Sequence, residues 1–249
     1  MIETLSEVHR LRARGRALAH GGAWFPVAVL AALVLASIAL YRVPFRQVDS
    51  LVATWPNWAG LPDEQRSPVL SYAFWFIGTP LALALIAAWY RWRANRVGVR
   101  VRWRPFGITA LVALAALALL AAATPTPAHP ELVSLHSPGT GMVLRHAVLT
   151  PLLPIAASLV VLGVVERSRA VALAGAWVAL ITCWQTAFGQ IGHLPAWVVW
   201  ILDGGQGPAG SGEWTLFNLN RPGPLLLVIA APLVVFAAVR AWRTRGGTA

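Results

Sequence analysis

Six long runs of apolar residues follow one another along the chain, separated by polar or arginine-rich segments. Each run has close to the roughly 20 residues that an α-helix needs to cross a hydrocarbon layer about 30 Å thick. The predicted spans are Gly22 to Tyr41, Val69 to Tyr90, Phe106 to Ala123, Ala147 to Val165, Ala170 to Gln190 and Pro224 to Val239. The pattern therefore predicts an all-α, polytopic membrane protein with about six transmembrane helices.

The composition supports this class. Charged residues make up 12% of the 249 positions and hydrophobic residues 57%, whereas a water-soluble domain carries charge on about a quarter of its positions. No segment outside the predicted spans is large enough to fold as a separate domain. We therefore predict that residues 1–249 form a single integral membrane domain.

The distribution of arginine predicts the orientation. Lysine is absent, so arginine supplies the excess positive charge, and fifteen of the 20 arginines precede the first span, follow the last, or lie in the second-to-third and fourth-to-fifth connections. Because cationic segments stay on the cytoplasmic side, both termini are predicted to be cytoplasmic in a multi-pass plasma-membrane protein. Short arginine clusters between apolar runs are typical of topology signals and contacts with anionic lipid, and we expect no nucleic-acid partner.

A basic leader occupies residues 1–20. Ile2, Leu5, Val8 and Leu11 recur at helical spacing, which indicates a helix lying along the membrane surface. The apolar run that follows is too long for the core of a cleaved signal peptide. We predict that it is retained as the first span.

The connection between the fifth and sixth spans contains a second, shorter apolar segment. Residues 193–202 are too few to cross a bilayer and too apolar to lie free in water,. A re-entrant or interfacial segment satisfies both constraints, and the glycine-rich stretch 203–208 supplies the turn back. The three outer connections, 42–68, 124–146 and 191–223, are all long enough to hold structure or function of their own.

Polar residues recur along one face of the fifth span. Thr182, Gln185, Thr186, Gly189 and His193 recur at three- and four-residue spacing, so a helix places them on one side. One interpretation is hydrogen bonding between helices inside the bundle. The functional alternative is a polar lining of a substrate path, with His193 at its outer mouth.

The outer connections also collect His129, His136 and His146 together with Glu131. Imidazole and carboxylate groups bind zinc or copper, and a histidine can act as a general base. The spacing matches no known metal-site pattern, so solvated histidines are the simpler interpretation. We expect no cofactor, and the single cysteine, Cys183, cannot form an internal disulfide.

The largest basic feature is the connection of residues 91–104. The chain has no glycine-rich phosphate-binding loop ending in Lys and Ser or Thr, so energy for transport would come from a separate ATPase. The connection is the natural docking surface for such a partner, with Arg93, Arg96 and Arg100 as its candidate contact residues. The alternative is a topology anchor that contacts anionic lipid.

Two short segments carry a resemblance. Residues 89–100 (WYRWRANRVGVR) and 165–169 (VERSR) resemble stretches of uncharacterised actinobacterial membrane proteins often encoded beside ABC-type exporters. The six spans, cytoplasmic ends and re-entrant segment are similar to ABC-2 type exporter permeases. The resemblance implies that residues 2–18 and 91–104 contact the ATPase subunits.

The leading hypothesis is a non-enzymatic membrane subunit or accessory of an ABC-type exporter, embedded in the lipid bilayer and working as an oligomer. A membrane enzyme that uses the outer histidines, with or without a metal, is the second hypothesis. A structural or sensory membrane partner is the third.

Overall fold

The computed structural model describes residues 22–45, 65–97, 103–123, 150–188, 201 and 221–246. Across these ranges the chain is helical and contains no β-strand, apart from an isolated bridge between Tyr41 and Gln65. The predicted all-α class is therefore confirmed for the described residues.

Six helices correspond to the six predicted apolar runs. They are α1, Trp24–Ala36, continued by the 3-10 turn Ser37–Leu40; α2, which runs from Pro68–Ala73 through the π turn Phe74–Gly78 to Thr79–Val97; α3, Arg104–Ala123; α4, Leu152–Val165; α5, Arg169–Phe188; and α6, Pro222–Gly246. Two of them extend well past the predicted spans. Helix α2 continues beyond Tyr90 to Val97, and α6 has 25 residues and continues beyond Val239.

Ser67 caps the start of α2 by accepting a hydrogen bond from the Leu70 backbone N–H.

The π turn in α2 has a local cause. Pro80 has no N–H to donate, and its ring crowds the carbonyl four residues earlier, on Phe76. Phe76 lies within the π turn Phe74–Gly78, where the wider backbone relieves this crowding,.

The helices pack as a ring in the order of the sequence. Each helix contacts the next one along the chain, and α6 closes the ring by packing extensively against α1. The centre is apolar: Leu30, Ile86, Leu159 and Ile229 are fully buried. Chain order and spatial order are therefore the same in this bundle.

Helices α4 and α5 approach each other closely in the hairpin that they form. A methyl group added at Gly163 would overlap the backbone of Ala172, and one added at Gly175 would lie 2.7 Å from the backbone nitrogen of Val160. Small residues at such positions are what allow two backbones to come together. The hairpin therefore depends on the absence of side chains at both glycines.

The turn of this hairpin is a Schellman motif. The Ser168 N–H donates to the Gly163 carbonyl at 2.8 Å, and the Arg167 N–H donates to the Val164 carbonyl at 3.1 Å,. Arg167 has a φ of 50°, a left-handed conformation that glycine adopts more readily than arginine does,. The turn also places Glu166 at the very end of α4.

The two ends of the bundle differ in composition. At one end the start of α1, the C-terminal part of α2, the α4–α5 turn and the C-terminal part of α6 come together, and we call this the basic end. At the opposite end the Arg66 Nε donates to the Tyr41 carbonyl at 3.1 Å, and the Gly223 N–H donates to the Pro44 carbonyl at 2.9 Å. These bonds tie α1 to the starts of α2 and α6. Of the three long connections predicted to face outward, 124–146 lies outside the described residues, and only 42–45, 65–68, 201 and 221–223 are described in the other two.

Large apolar side chains cover much of the outer surface. The most exposed are Val69, Leu81, Ile108, Val112, Leu119, Val164, Leu173, Val235 and Trp242. Two helical stretches, Val69–Arg96 and Pro222–Thr244, are long and apolar enough to cross a membrane, and only 28% and 44% of their most apolar windows are buried within the protein. In the four other helices the apolar stretch is shorter when only residues with described side chains are counted.

Candidate functional site

The predicted polar face of the fifth span lies partly within the described structure. Thr182 sits on α5 and is 1% exposed, so it faces the interior of the bundle. The backbone of Gln185 and Thr186 belongs to the same helix, but their side chains lie outside the described residues, as does His193. A substrate path along this face therefore stays a prediction.

The predicted metal ligands are also outside the described ranges. His129, His136 and His146 all fall within 124–149, and the part of the chain that the structure describes contains no histidine. No group of three or more His, Cys, Asp or Glu side chains that could hold a metal ion occurs among the described residues. Cys183 is exposed on α5.

The docking arginines fall into different environments. Arg93 is half-buried, and its guanidinium lies so close to Gly22 that a methyl group at that glycine would overlap it. Arg96 is exposed, and its guanidinium carbon lies 4.8 Å from the centre of the Trp92 ring. Arg100 lies outside the described residues. Of the described pair, Arg96 is accessible to a partner and Arg93 is used within the bundle.

A series of stacked aromatic rings extends from α1 to Arg96. Trp89 stacks on Phe25 of α1 with ring centres 4.5 Å apart and on Trp92 with ring centres 4.9 Å apart. The Arg96 guanidinium lies over the Trp92 ring in a cation–π contact,. The exposed arginine is therefore connected to α1 through a continuous stack of rings.

Trp89 also forms a hydrogen bond with the start of α1. Its indole Nε1 donates to the Gly22 carbonyl at 3.3 Å. Gly22 thus contacts two side chains of α2, the indole of Trp89 and the guanidinium of Arg93. The C-terminal part of α2 holds the beginning of α1 in place.

A buried hydrogen bond links α2 to the α4–α5 turn. The Tyr90 hydroxyl donates to Glu166 Oε1 at 2.6 Å, and Tyr90 and Glu166 are 4% and 1% exposed. A carboxylate placed this deep requires hydrogen-bond donors or counter-charges, because burying a charge alone is costly.

These contacts form one constellation, which we call the basic-end cluster: Gly22, Trp89, Tyr90, Arg93 and Glu166. One turn and a half of α2 supplies three of its members, and the turn before α1 and the α4–α5 turn supply one each. The cluster contains no activated nucleophile, and its contacts are positional. It fixes the C-terminal part of α2 to two other elements of the bundle.

Part of this cluster was predictable from the sequence. The arginine pattern predicted Arg93 as an external contact, and the apolar pattern placed Tyr90 at a span boundary and Glu166 in a connection. Neither pattern pairs Tyr90 with Glu166, which lie 76 positions apart. The available signal was an acidic residue directly after an apolar run, where burial is expensive without a partner.

Comparison with known proteins adds no further assignment: no family model, curated protein or solved structure matches this chain.

Proposed function

We propose that the chain is a six-span integral membrane protein whose two termini face the cytoplasm. The apolar outer surface supports this, since a bundle in water would not expose large aliphatic residues on almost every helix,. The gathering of the arginine-rich segments at one end supports the orientation, because cationic segments resist translocation. Lipid contact on the outside and arginine at the cytoplasmic surface then follow from the same arrangement.

We further propose that the protein is the non-enzymatic membrane subunit, or an accessory subunit, of an exporter energised by a separate ATPase. The observation that carries this proposal is that α2 continues as one helix past the apolar run into the basic connection 91–104. A partner that contacts this connection would therefore contact a rigid extension of a span. A flexible loop would transmit no comparable displacement.

The basic-end cluster gives that extension two attachments. Through Gly22 it reaches α1, and through Glu166 it reaches the turn between α4 and α5. A displacement of the α2 extension would move the start of α1 and the α4–α5 hairpin together. Thr182, buried on α5, lies on the element that such a movement would reach.

The membrane topology is tested with reporter fusions at residues 97 and 210. We expect the first to report the cytoplasm and the second the outside. Both reporters on the same side of the membrane would refute the six-span arrangement.

The docking role is tested by co-purification of the full chain from its native membrane with a nucleotide-binding subunit. The variant is Arg96→Glu, since Arg96 is exposed on the α2 extension. The matched control is Arg169→Glu, which makes the same charge change at another exposed arginine of the basic end, at the start of α5. We expect the first variant to lose the ATPase subunit and the second to retain it. If both retain it, or if the unaltered chain brings down no ATPase, docking on 91–104 is wrong.

A further inference from the structure

Helix α6 contains an interior proline, Pro232, whose missing hydrogen-bond donor is replaced by a side chain of α5. In an α-helix the N–H of residue 232 would donate to the carbonyl of Val228, but proline has no N–H. The Trp177 Nε1 donates to that carbonyl instead, at 3.1 Å. The indole of Trp177 therefore takes the place of an amide that α6 lacks.

Two other prolines are accommodated within their own helices. Pro80 follows the π turn Phe74–Gly78, whose wider backbone relieves the crowding by its ring,. Pro154 lies in the first turn of α4, where N–H groups have no partner within the helix,. Pro232 lies about three turns into α6,, and there the replacement donor comes from a different helix. The geometry of α6 at this point therefore depends on α5.

The parts of α6 before and after Pro232 have different attachments. Residues 233–246 pack along α1. Residues 222–231 include Val228, and the Trp177 bond attaches them to α5. A proline removes a hydrogen bond from a helix and weakens the helix against bending at that point. Pro232 therefore lies where one part of α6 can change its angle to the other.

Helix α5 is held on its other side by α4. These two helices pack far more extensively against each other than α5 does against α6, and Gly163 and Gly175 bring their backbones close together. Trp177 is 37% exposed, so its bond to Val228 lies at the outer surface of the bundle, between α5 and α6. If α5 and α6 separate, α5 therefore stays with α4.

We propose that Pro232 is the pivot of a hinged helix and that the Trp177 indole is the latch that holds residues 222–231 against α5. The latched arrangement is the resting one, because separation would leave an indole N–H and a backbone carbonyl facing hydrocarbon. Release of the latch opens the seam between α5 and α6, by which we mean the contact of residues 222–231 with α5. The inference rests on the proposed membrane location and is independent of the proposed ATPase.

The direction of the movement follows from the start of α6. The Gly223 N–H donates to the Pro44 carbonyl at 2.9 Å, which holds this end of α6 to the chain segment that follows α1. The released residues 222–231 therefore move away from α5 together with that segment. The seam opens on the side of Pro232 away from the basic end, and the contact of residues 233–246 with α1 stays as it is.

The inference is tested by measuring distances between spin labels on the full chain in lipid nanodiscs. The single cysteine of the chain, Cys183, is first changed to serine. One label pair, Leu180→Cys with Leu227→Cys, uses exposed positions of α5 and α6 beside the seam. The control pair, Leu173→Cys with Val235→Cys, uses exposed positions of the same helices nearer the basic end.

We expect one short distance at each pair in the latched protein. Trp177→Phe keeps a ring and removes the N–H, so it should add a second, longer distance at the seam pair alone. A bend of about 20° at Pro232 displaces residue 227, which lies about 7.5 Å along the helix, by about 3 Å. Adding Pro232→Ala returns the amide that bonds the Val228 carbonyl, so the longer distance should disappear in the double variant. The matched control Trp242→Phe, an exposed ring at the basic end, should alter neither pair.

Three results would overturn the inference. An unchanged distance at the seam pair in Trp177→Phe would show that the indole is not a latch. A longer distance that persists after Pro232→Ala is added would show that Pro232 is not the pivot. Longer distances at both pairs would show a general loosening of α5. Neither the ATPase nor the reporter fusions enter these measurements, so failure of the proposed function and failure of the hinge are distinguishable.

Discussion

Removing the Tyr90 hydroxyl is the most direct test of the basic-end cluster. The substitution Tyr90→Phe keeps the ring and deletes one hydrogen-bond donor. In the native protein that donor lies 2.6 Å from Glu166 Oε1, and both side chains are buried. The Glu166 carboxylate would then lose the hydrogen bond from Tyr90, and because the site is buried, water has little access to replace it.

The expected cost follows from the geometry. A hydrogen bond to a charged group contributes about 1.5–3 kcal/mol net, and a short buried one belongs in the middle of that range or above. We therefore expect Tyr90→Phe to lower the free energy of unfolding by about 2 kcal/mol. For a chain of this size that corresponds to a fall in Tm of about 4–8 °C.

The assay is thermal unfolding in a mild detergent, and the control is Thr244→Val. This substitution also removes a hydrogen bond, which the Thr244 Oγ1 donates to the Ala241 carbonyl at 2.8 Å. The site is exposed, so water can replace the lost hydroxyl. The Tm of the control should change little. Because Glu166→Gln removes the charge that Tyr90 serves, the double variant should cost less than the sum of the single ones. Strictly additive effects, or a Tyr90→Phe protein as stable as the native one, would refute the reasoning.

Two further predictions concern the α4–α5 hairpin. Gly163→Ala should destabilise the protein by about 1–3 kcal/mol, because its methyl group would overlap the α5 backbone,. The control Gly78→Ala should cost less than about 1 kcal/mol, because its methyl group would lie 3.7 Å from Leu33,. Equal shifts in Tm for the two variants would contradict the close approach of α4 and α5. Arg167→Gly should raise the free energy of unfolding by about 0.5–1 kcal/mol in the same assay, since glycine adopts a φ of 50° without strain,. A loss of stability would show that the arginine side chain stabilises the turn by more than the backbone strain costs.

The apolar pattern located the helices and misplaced two of their ends. It ended the second span at Tyr90 because Arg91 and Arg93 break the hydrophobic run, yet arginine and alanine are good helix formers and the helix continues to Val97,. The last helix continues past Val239 for the same reason. Hydropathy marks where lipid can solvate a helix, which is a different quantity from where the backbone stays helical.

The candidate site was less predictable because its key contact is long-range. Local spacing placed Thr182 on a helix face, and the structure buries that side chain. The pairing of Tyr90 with Glu166 depends on how α2 and α4 come together, which no local pattern encodes. Arg93 looked like a surface charge in the sequence, and its half-buried place beside Gly22 depends on the same packing.

The closure of the ring by α1 and α6 has a consequence for biogenesis. Among the six described helices α1 is synthesised first and meets its most extensive partner last, since α6 is the last of the six. Before α6 is present, the contacts of α1 with the other described helices are mainly those with α2 and α4. A nascent chain that stalls before residue 221 would therefore expose the α1 surface that α6 covers in the finished bundle.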